Sequence, residues 1–309
     1  MVDSEGGSLP TQRAEFAHIT SLTYDRVAQG YDDLWSPHVV GPNARLTAGL
    51  ALQRGDRVAD LACGTGIDTL EMARLTDPGE VVAVDYSEGM LSAARERMEE
   101  AGYPVSLVHA RAEDFVARTP PASFDVVSLR FALAYIDWHE VLPHTARLLR
   151  PGGRVGVLTS VRRSVPQFYT LFDRFRSSFD PVAKLYKHCG NDIAETWRWF
   201  RRLRETFRQG RFVESMPASA ETVADRLAAG GLVPVEIWTE TIRLWFDSGR
   251  AAVDWARGTG YSTHPSLEAL GSHAIDFVEN LFAAGLEGFR EQSGIPLDLV
   301  VGGVVARRP

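Results

Sequence analysis

From about Arg57 to Ser160, short apolar, β-branched runs alternate with stretches of helical spacing. The runs predict strands at Arg57–Ala62, Glu80–Asp85, Val105–His109, Asp125–Arg130 and Gly153–Thr159. Between them the 3.6-residue period predicts helices over Asp68–Thr76, Gly89–Ala101 and Trp138–Leu149. This is the βαβ rhythm, which builds a parallel sheet with helices on both faces. Pro151-Gly152-Gly153 reads as a sharp turn into the fifth strand.

Val161–Phe212 breaks the rhythm. It is helical in pattern, aromatic and arginine-rich, and too long for a simple loop. The sheet pattern then returns. Ser219 is placed to cap a helix that reaches Ala229 and ends at Gly230-Gly231, and Val233–Trp245 reads as a long strand. A second mostly helical stretch, Gly249 to Ser293, precedes a last strand at Leu297–Ala306. Two late strands joined by so long a connection predict an antiparallel final strand.

Composition narrows the class. The chain has 309 residues, 45% hydrophobic and 24% charged, which suits a soluble globular protein with one large core and an accessory unit. A formal net charge of −7 argues against a nucleic-acid partner. No run of about 18 apolar residues occurs, so no membrane span is expected. Met1 to Thr11 is polar and acidic and does not read as a signal peptide. Cys63 and Cys189 form no C-x-x-C pair, so a disulfide framework is not expected and the chain reads as cytoplasmic. The oligomeric state, a homodimer included, is not determined at this level.

The strongest local signal is Val58-Ala59-Asp60-Leu61-Ala62-Cys63-Gly64-Thr65-Gly66. An apolar strand enters a small-residue turn that opens a helix, at the carboxyl end of the first strand, where open α/β sheets bind ligands. Gly64 and Gly66 let the backbone approach a ligand where a Cβ would obstruct it. About twenty residues on, the second strand ends in Asp85, placed to accept hydrogen bonds from both ribose hydroxyls. Alone, the turn reads equally as a tight strand–helix connection, and Asp85 as a helix N-terminal acid. Their joint spacing points to a nucleoside. A dinucleotide site wants a third glycine for close helix packing, and none follows here. Asp60 would repel a pyrophosphate but suits the cationic amino end of S-adenosylmethionine.

These residues resemble the class I S-adenosylmethionine-dependent methyltransferases, particularly the branch of the ubiquinone and menaquinone methyltransferases and natural-product tailoring enzymes. Asp60 to Gly66 looks like the family's first motif, with Ala62, Gly64, Thr65 and Gly66 against the cofactor. Val82-Ala83-Val84-Asp85-Tyr86-Ser87 resembles its second, with Tyr86 beside the ribose and Met90 packed on the adenine. Phe124-Asp125-Val126-Val127 through Phe131-Ala132-Leu133-Ala134-Tyr135 looks like the fourth-strand motif, which would bring Arg130 and Phe131 to the cofactor and Tyr135 to the substrate. Leu148-Leu149-Arg150-Pro151-Gly152-Gly153 matches the turn before the fifth strand. Tyr24-Asp25-Arg26-Val27-Ala28-Gln29-Gly30-Tyr31-Asp32 is like the N-terminal lid, whose aromatics, here Tyr24 and Tyr31, close over the methionine moiety.

The resemblance implies a Rossmann-like, doubly wound, mostly parallel seven-stranded sheet with an antiparallel last strand and a helical cap insert. It divides the chain into a lid (1–45), a cofactor-binding core (46–160), a substrate cap (161–212) and the rest of the sheet with a second helical insertion at about 249–293. The adenine-reading segment departs from the family pattern. His109-Ala110-Arg111-Ala112-Glu113-Asp114-Phe115 places Arg111 where an aspartate is usual. Ala112 remains placed to offer a backbone N–H to the adenine, and Glu113 or Asp114 to take its amino group. Solvated loop charges are the other reading.

Methyl transfer from a sulfonium is a one-step in-line displacement, so the protein's main task is positioning. His139, just past the fourth strand, is the best-placed candidate base; a surface histidine early in a helix is the alternative. Cys63 reads as a small packing residue in the turn. The Phe168, Phe172, Phe175 and Phe179 stripe, like that of Trp197, Phe200, Leu203 and Phe207, has the spacing of helices packed on a core. Because the insert follows the fifth strand, Phe168 and Phe172 are also expected to line an apolar substrate pocket.

From Val161 to Phe212 there are ten Arg and two Lys against five Asp and Glu, a local excess of positive charge in an acidic chain. A solvated face is one reading. The other is an anionic group on the acceptor, or an acidic carrier protein presenting it, met by Arg201 and Arg204. The expected reaction is methyl transfer to a small, largely apolar or aromatic metabolite of secondary metabolism. The alternative is an S-adenosylmethionine-binding enzyme of the same fold that catalyses a cyclisation or rearrangement without methyl transfer.

Overall fold

The computed structural model describes residues 9–174, 216–260 and 272–309. Two helices, α1 (Leu9–Val27) and α2 (Tyr31–Leu50), lead into β1 (Arg57–Leu61), α3 (Ile67–Thr76), β2 (Glu80–Asp85), α4 (Glu88–Ala101) and β3 (Val105–His109). Then follow α5 (Ala112–Arg118), β4 (Phe124–Arg130), α6 (Trp138–Leu148) and β5 (Leu149–Ser160). After a further helical segment at 166–174 come α7 (Ala220–Ala229), β6 (Val233–Phe246), α8 (Gly249–Gly258), α9 (Ser272–Leu286) and β7 (Ile295–Arg307).

The seven strands form one sheet in the order β3-β2-β1-β4-β5-β7-β6. β1 to β5 pair in parallel, and β7 runs antiparallel to both β5 and β6, as the sequence predicts. Alternate strand residues face opposite layers. Val58, Val81 and Val126 pack with Leu50 of α2 and Met72 of α3. Ala59, Val127 and Leu129 pack with Val116 of α5, Val141 of α6 and Leu227 of α7. On the β5–β7 half, Leu158, Leu299 and Val301 meet Leu46 of α2, Trp255 of α8 and Phe282 of α9.

Three details differ from the sequence expectations. β5 pairs from Leu149, with a register shift opposite Phe124–Val126, so Pro151-Gly152-Gly153 interrupts a strand rather than preceding it. Gly152 has φ +79° there, and its N–H donates to the Arg308 carbonyl at 2.9 Å. Residues 112–118, to which the sequence pattern gave no element, form a helix. The expected lid boundary at residue 45 falls inside α2, whose Leu46 and Leu50 are fully buried under the sheet.

Leu61 of β1 lies opposite Val84 of β2 and Leu129 of β4, so three parallel strands end at one edge. The strand order reverses between β1 and β4. A crevice opens outside the carboxyl ends at such a switch point.

Candidate active site

The glycine turn is made of left-handed backbone. Ala62, Gly64 and Gly66 have φ of +57°, +56° and +76°. Ala62 carries a Cβ in this region, a strain on the order of 1 kcal/mol that the flanking strand and helix hold in place. The two glycines act differently. A Cβ on Gly64 would meet nothing within 4 Å, and Gly64 lines the crevice. A Cβ on Gly66 would lie 3.0 Å from both Ala94 and Met98 of α4, so Gly66 lets α3 start against its neighbour. Gly66 serves packing and is not among the cavity-lining residues.

Asp85 stands at the end of β2 opposite the turn. One carboxylate oxygen accepts the Gly64 N–H and the other the Ser87 N–H, both at 2.9 Å. Burial pushes its pKa up, opposed by these backbone bonds. Each oxygen keeps a second lone pair for a ligand hydroxyl. Burial likewise raises the Cys63 thiol well above its ordinary value, which leaves it the packing residue read from the sequence.

The N-terminal helices dock over this turn through two Tyr-Asp pairs, Tyr24-Asp25 and Tyr31-Asp32. Asp25 accepts Ser87 Oγ at 2.6 Å and Gly89 N–H at 2.9 Å, at the start of α4. A Cβ on Gly89 would stand 2.8 Å from Asp25 Cα, so only glycine admits this approach. Asp32 accepts Thr65 Oγ1 at 2.6 Å and pairs with Arg97 of α4, whose Nε also holds the Thr65 carbonyl. Both aspartates fall in the lid segment read from the sequence, which gave them no role; their repeat beside the two lid tyrosines was the available signal.

A buried polar network lies under the turn. Arg130, 7% exposed, donates to Asp68 Oδ1 at 2.9 Å, Thr47 Oγ1 at 3.0 Å and Ser128 Oγ at 3.1 Å. Asn43 donates to the other Asp68 oxygen at 3.1 Å and leaves its own Oδ1 buried without a partner. Asp60 accepts Thr69 Oγ1 at 2.6 Å; burial raises its pKa to about 6 against the pull of Arg130.

Three cavities meet here. The main cleft, about 800 Å³ including its open mouth, is lined by Tyr24, Tyr31, Ala62, Gly64, Asp85, Tyr86, Met90, Ala112, Glu113, Arg130, Phe131 and Tyr135 among others. They include eleven of the fourteen residues expected to hold the cofactor, all but Asp60, Thr65 and Gly66, together with Tyr135. Asp60 and Thr65 line a second cavity of about 510 Å³, with Asp32, Asn43, Asp68 and Arg130. A third, narrow one, about 360 Å³ when its opening to solvent is included, is walled by Tyr24, Tyr31, Trp35, Phe131 and Tyr135, with Thr159, Ser160, Met216 and Thr259. Tyr31 and Phe131 line all three.

The rings at the junction are tightly set. Tyr24 meets Tyr135 edge-on at 5.3 Å and Tyr31 at 6.1 Å, while Trp35 meets Phe131 at 5.1 Å. Tyr24 donates its hydroxyl hydrogen bond to Tyr135, and burial raises the pKa of all three tyrosines, keeping them neutral. Phe131 holds φ +52°, another strained residue at the site. The second insertion contributes as well: Thr259 follows α8, and Trp255 donates its Nε1–H to the Leu34 carbonyl at 2.9 Å. The sequence reading gave this insertion no part in the site. Ala17, Thr20 and Ser21 of α1, which also line the main cleft, were likewise missed.

At the far rim, Glu113 Oε1 accepts the Asp137 N–H at 2.7 Å and lies 3.3 Å from Arg111 Nη2. Asp114 points to solvent near Arg118. Of the two acids, the crevice therefore receives Glu113. His139 is exposed at the start of α6, stacked on Trp138, with its carbonyl held by Arg226 of α7; it lines none of the three cavities. Phe168 and Phe172 turn to Phe282 of α9, at 5.8 and 4.7 Å, and join the core instead of a cavity wall. Arg201 and Arg204 lie outside the described residues, as do Phe175, Phe179 and the Trp197–Phe207 stripe.

Residues 58–153 match a methyltransferase domain family. The chain is 32% identical over 174 residues to a demethylmenaquinone methyltransferase of Listeria monocytogenes, covering 53% of this chain and 72% of that one. It is 30% identical over 229 residues to a ubiquinone/menaquinone biosynthesis C-methyltransferase of Azotobacter vinelandii, covering 71% and 86%. A solved structure from Bacillus halodurans described as a methyltransferase shares the fold, with a TM-score of 0.54 and 19% identity over 86% of this chain and 98% of that chain. Among the described residues no helix is long and apolar enough to cross a membrane. With its glycine turn, the acid that closes its second strand and its sheet order alike, the chain belongs to the class I S-adenosylmethionine-dependent methyltransferases.

Proposed function

We propose that the three joined cavities hold the two substrates of one reaction. The main cleft takes the adenosine of S-adenosylmethionine, the acidic cavity its amino-acid end, and the tyrosine-walled cavity a small, flat, largely aromatic acceptor. The observation that carries this reading is the junction itself: Tyr31 and Phe131 line all three spaces, so the group passed between them lies at those rings.

Bound there, the cofactor supplies a sulfonium methyl that an in-line nucleophile can displace. The chain's residues do the rest by position. Asp85 takes the ribose hydroxyls, and Met90, 2% exposed, closes the apolar wall beneath the base. Ala112 offers its backbone N–H. Arg130 and the carboxylates of Asp60 and Asp68 present opposite charges to the two ends of an amino acid, and the orphaned Asn43 Oδ1 beside them accepts one more N–H. Electron-rich ring faces of Tyr24, Tyr31 and Trp35 suit the positive sulfonium.

In the acceptor cavity the described ionisable side chains are tyrosines, held neutral by burial. Tyr135 receives the Tyr24 hydrogen bond and so has its own hydroxyl hydrogen available to orient an acceptor oxygen. The relatives are named for quinone biosynthesis, whose flat rings fit such walls. A hydroxylated aromatic of secondary metabolism is the acceptor class proposed.

The test is turnover with a panel of hydroquinones and phenols, reading methylated product and S-adenosylhomocysteine together. Equal amounts of both are expected. Tyr135→Phe should lower kcat about tenfold, the loss of one oriented hydrogen bond, with S-adenosylhomocysteine affinity unchanged. Product formed without S-adenosylhomocysteine, or a Tyr135→Phe variant that loses only cofactor affinity, would refute the assignment.

A further inference from the structure

Six side chains in the wall of the tyrosine-lined cavity carry a hydroxyl, and three of those hydroxyls are already committed. Tyr24 donates to Tyr135. Thr159, 2% exposed, donates its Oγ1–H to the Ser160 carbonyl at 3.0 Å. Thr259, equally buried, donates to the Trp255 carbonyl at 2.9 Å, with the Ala256 carbonyl at 3.3 Å. Tyr31 stands at the junction with the other two cavities. Ser160 is placed differently: it lines this cavity and neither of the others. It is 8% exposed, yet its hydroxyl makes no hydrogen bond to any described residue. Its backbone is paired with Val301 of β7, so the hydroxyl is presented from a rigid strand. A buried hydroxyl without a partner is costly until a ligand completes it.

We propose that Ser160 binds a second oxygen of the acceptor, on the β5 side of the cavity and away from the transferred methyl. This rests on the assignment of the cavity to the acceptor. Tyr135 lines both this cavity and the main cleft, so the oxygen that it orients lies toward the cofactor. Ser160 meets another substituent of the ring. A hydroxyl both donates and accepts, so ether, hydroxyl and carbonyl oxygens all satisfy it, whereas a hydrocarbon group leaves it buried and unpaired. The two threonines, their hydrogens spent on backbone carbonyls, add no donor of their own. The acceptor class is thereby narrowed to rings that carry two oxygen substituents, one toward the cofactor and one toward β5.

Turnover of methoxyphenols beside ethylphenols, substituted ortho, meta or para, tests this, because the members of each pair differ only by an oxygen in place of a methylene. Their intrinsic reactivities differ by the same factor for every variant, so the readout is how a substitution changes the ratio of their kcat/KM values. In at least one pair the methoxy-to-ethyl ratio should fall about tenfold on Ser160→Ala, the loss of one buried hydrogen bond. Ser160→Thr, which keeps the hydroxyl, should retain most of the preference, with unfolding midpoints confirming that both variants fold. Calorimetric affinity for S-adenosylhomocysteine should be the same in all three proteins, since Ser160 lines neither cofactor cavity. A ratio unchanged by Ser160→Ala in every pair, including an equal loss for both members, overturns the proposal while leaving the cavity assignment intact. If the wild-type protein methylates none of these phenols, the cavity assignment fails, and the proposal with it.

Discussion

At the residue scale the site is a set of ionisable groups held away from water, and each carries a cost. Asp60 is the sharpest case. Burial lifts its pKa from 3.8 to about 6, so the folded protein holds this proton more tightly than the unfolded chain. The stabilisation that comes with the proton is complete below the unfolded value and is lost as pH rises through about 6. At neutral pH the charged group costs folding on the order of 3 kcal/mol. Asp60→Asn, which can keep an oxygen for the Thr69 hydroxyl, should raise stability by about that amount at pH 8 and by almost nothing near pH 3, below the unfolded value. Urea unfolding at the two pH values measures it, and equal gains at both would assign the effect to another group. The same variant should bind S-adenosylmethionine more weakly, a trade common at binding sites.

At the element scale the decisive feature is how α1 and α2 reach the sheet edge. Their grip is polar: Asp25 on the start of α4, Asp32 on Thr65 and Arg97. Asp32→Ala removes the acceptor from two donors at once, and leaves Arg97, 29% exposed in its side chain, without its carboxylate partner and holding only the Thr65 carbonyl. The expected loss is about 1–3 kcal/mol of stability, with roughly tenfold weaker S-adenosylhomocysteine binding and faster amide exchange across residues 17–35. Asp32→Asn, which keeps one acceptor for Thr65, should fall between. Unchanged exchange in that segment would show that the aromatic contacts of Tyr31, Trp35 and Trp255 hold it alone.

Strands and helices of the core were legible because their burial is decided locally. The Val-rich run of β2 and the Ser219 cap of α7 appear where the sequence puts them, the cap accepting the Thr222 N–H at 3.4 Å. The misread pieces were those whose environment comes from elsewhere. Residues 112–118 are a charged segment whose helix is completed by Val116 against the α6 layer. Leu149 joins β5 because Phe124 lies opposite it across a register shift. Most residues that line the main cleft were legible for the same reason as the strands: they sit on turns that strands end in. His139, Phe168 and Phe172 were not, because the side on which a helical residue falls depends on what packs against the helix.

At the scale of the whole molecule, the N-terminal helices, the sheet and the residue after α8 line joined cavities, so a ligand bound there should act on global stability. At about a hundred times its dissociation constant, S-adenosylhomocysteine should add roughly 2.7 kcal/mol, a rise on the order of 5 °C or more in the unfolding midpoint. NAD should give none, and Asp85→Ala should abolish the rise. A shift with NAD, or one that survives Asp85→Ala, would place the nucleoside elsewhere.

By itself the sequence determined the sheet, its antiparallel last strand, the glycine turn and the cofactor, since each rests on the order and spacing of residues close in the chain. Only the tertiary structure decided that three cavities meet at Tyr31 and Phe131, that Thr259 joins the wall of the tyrosine-lined one, and that Glu113 rather than Asp114 faces the cleft. Those facts depend on residues from distant segments meeting at one strand edge, and the relative placement of helices around a sheet is set by packing that no single segment encodes.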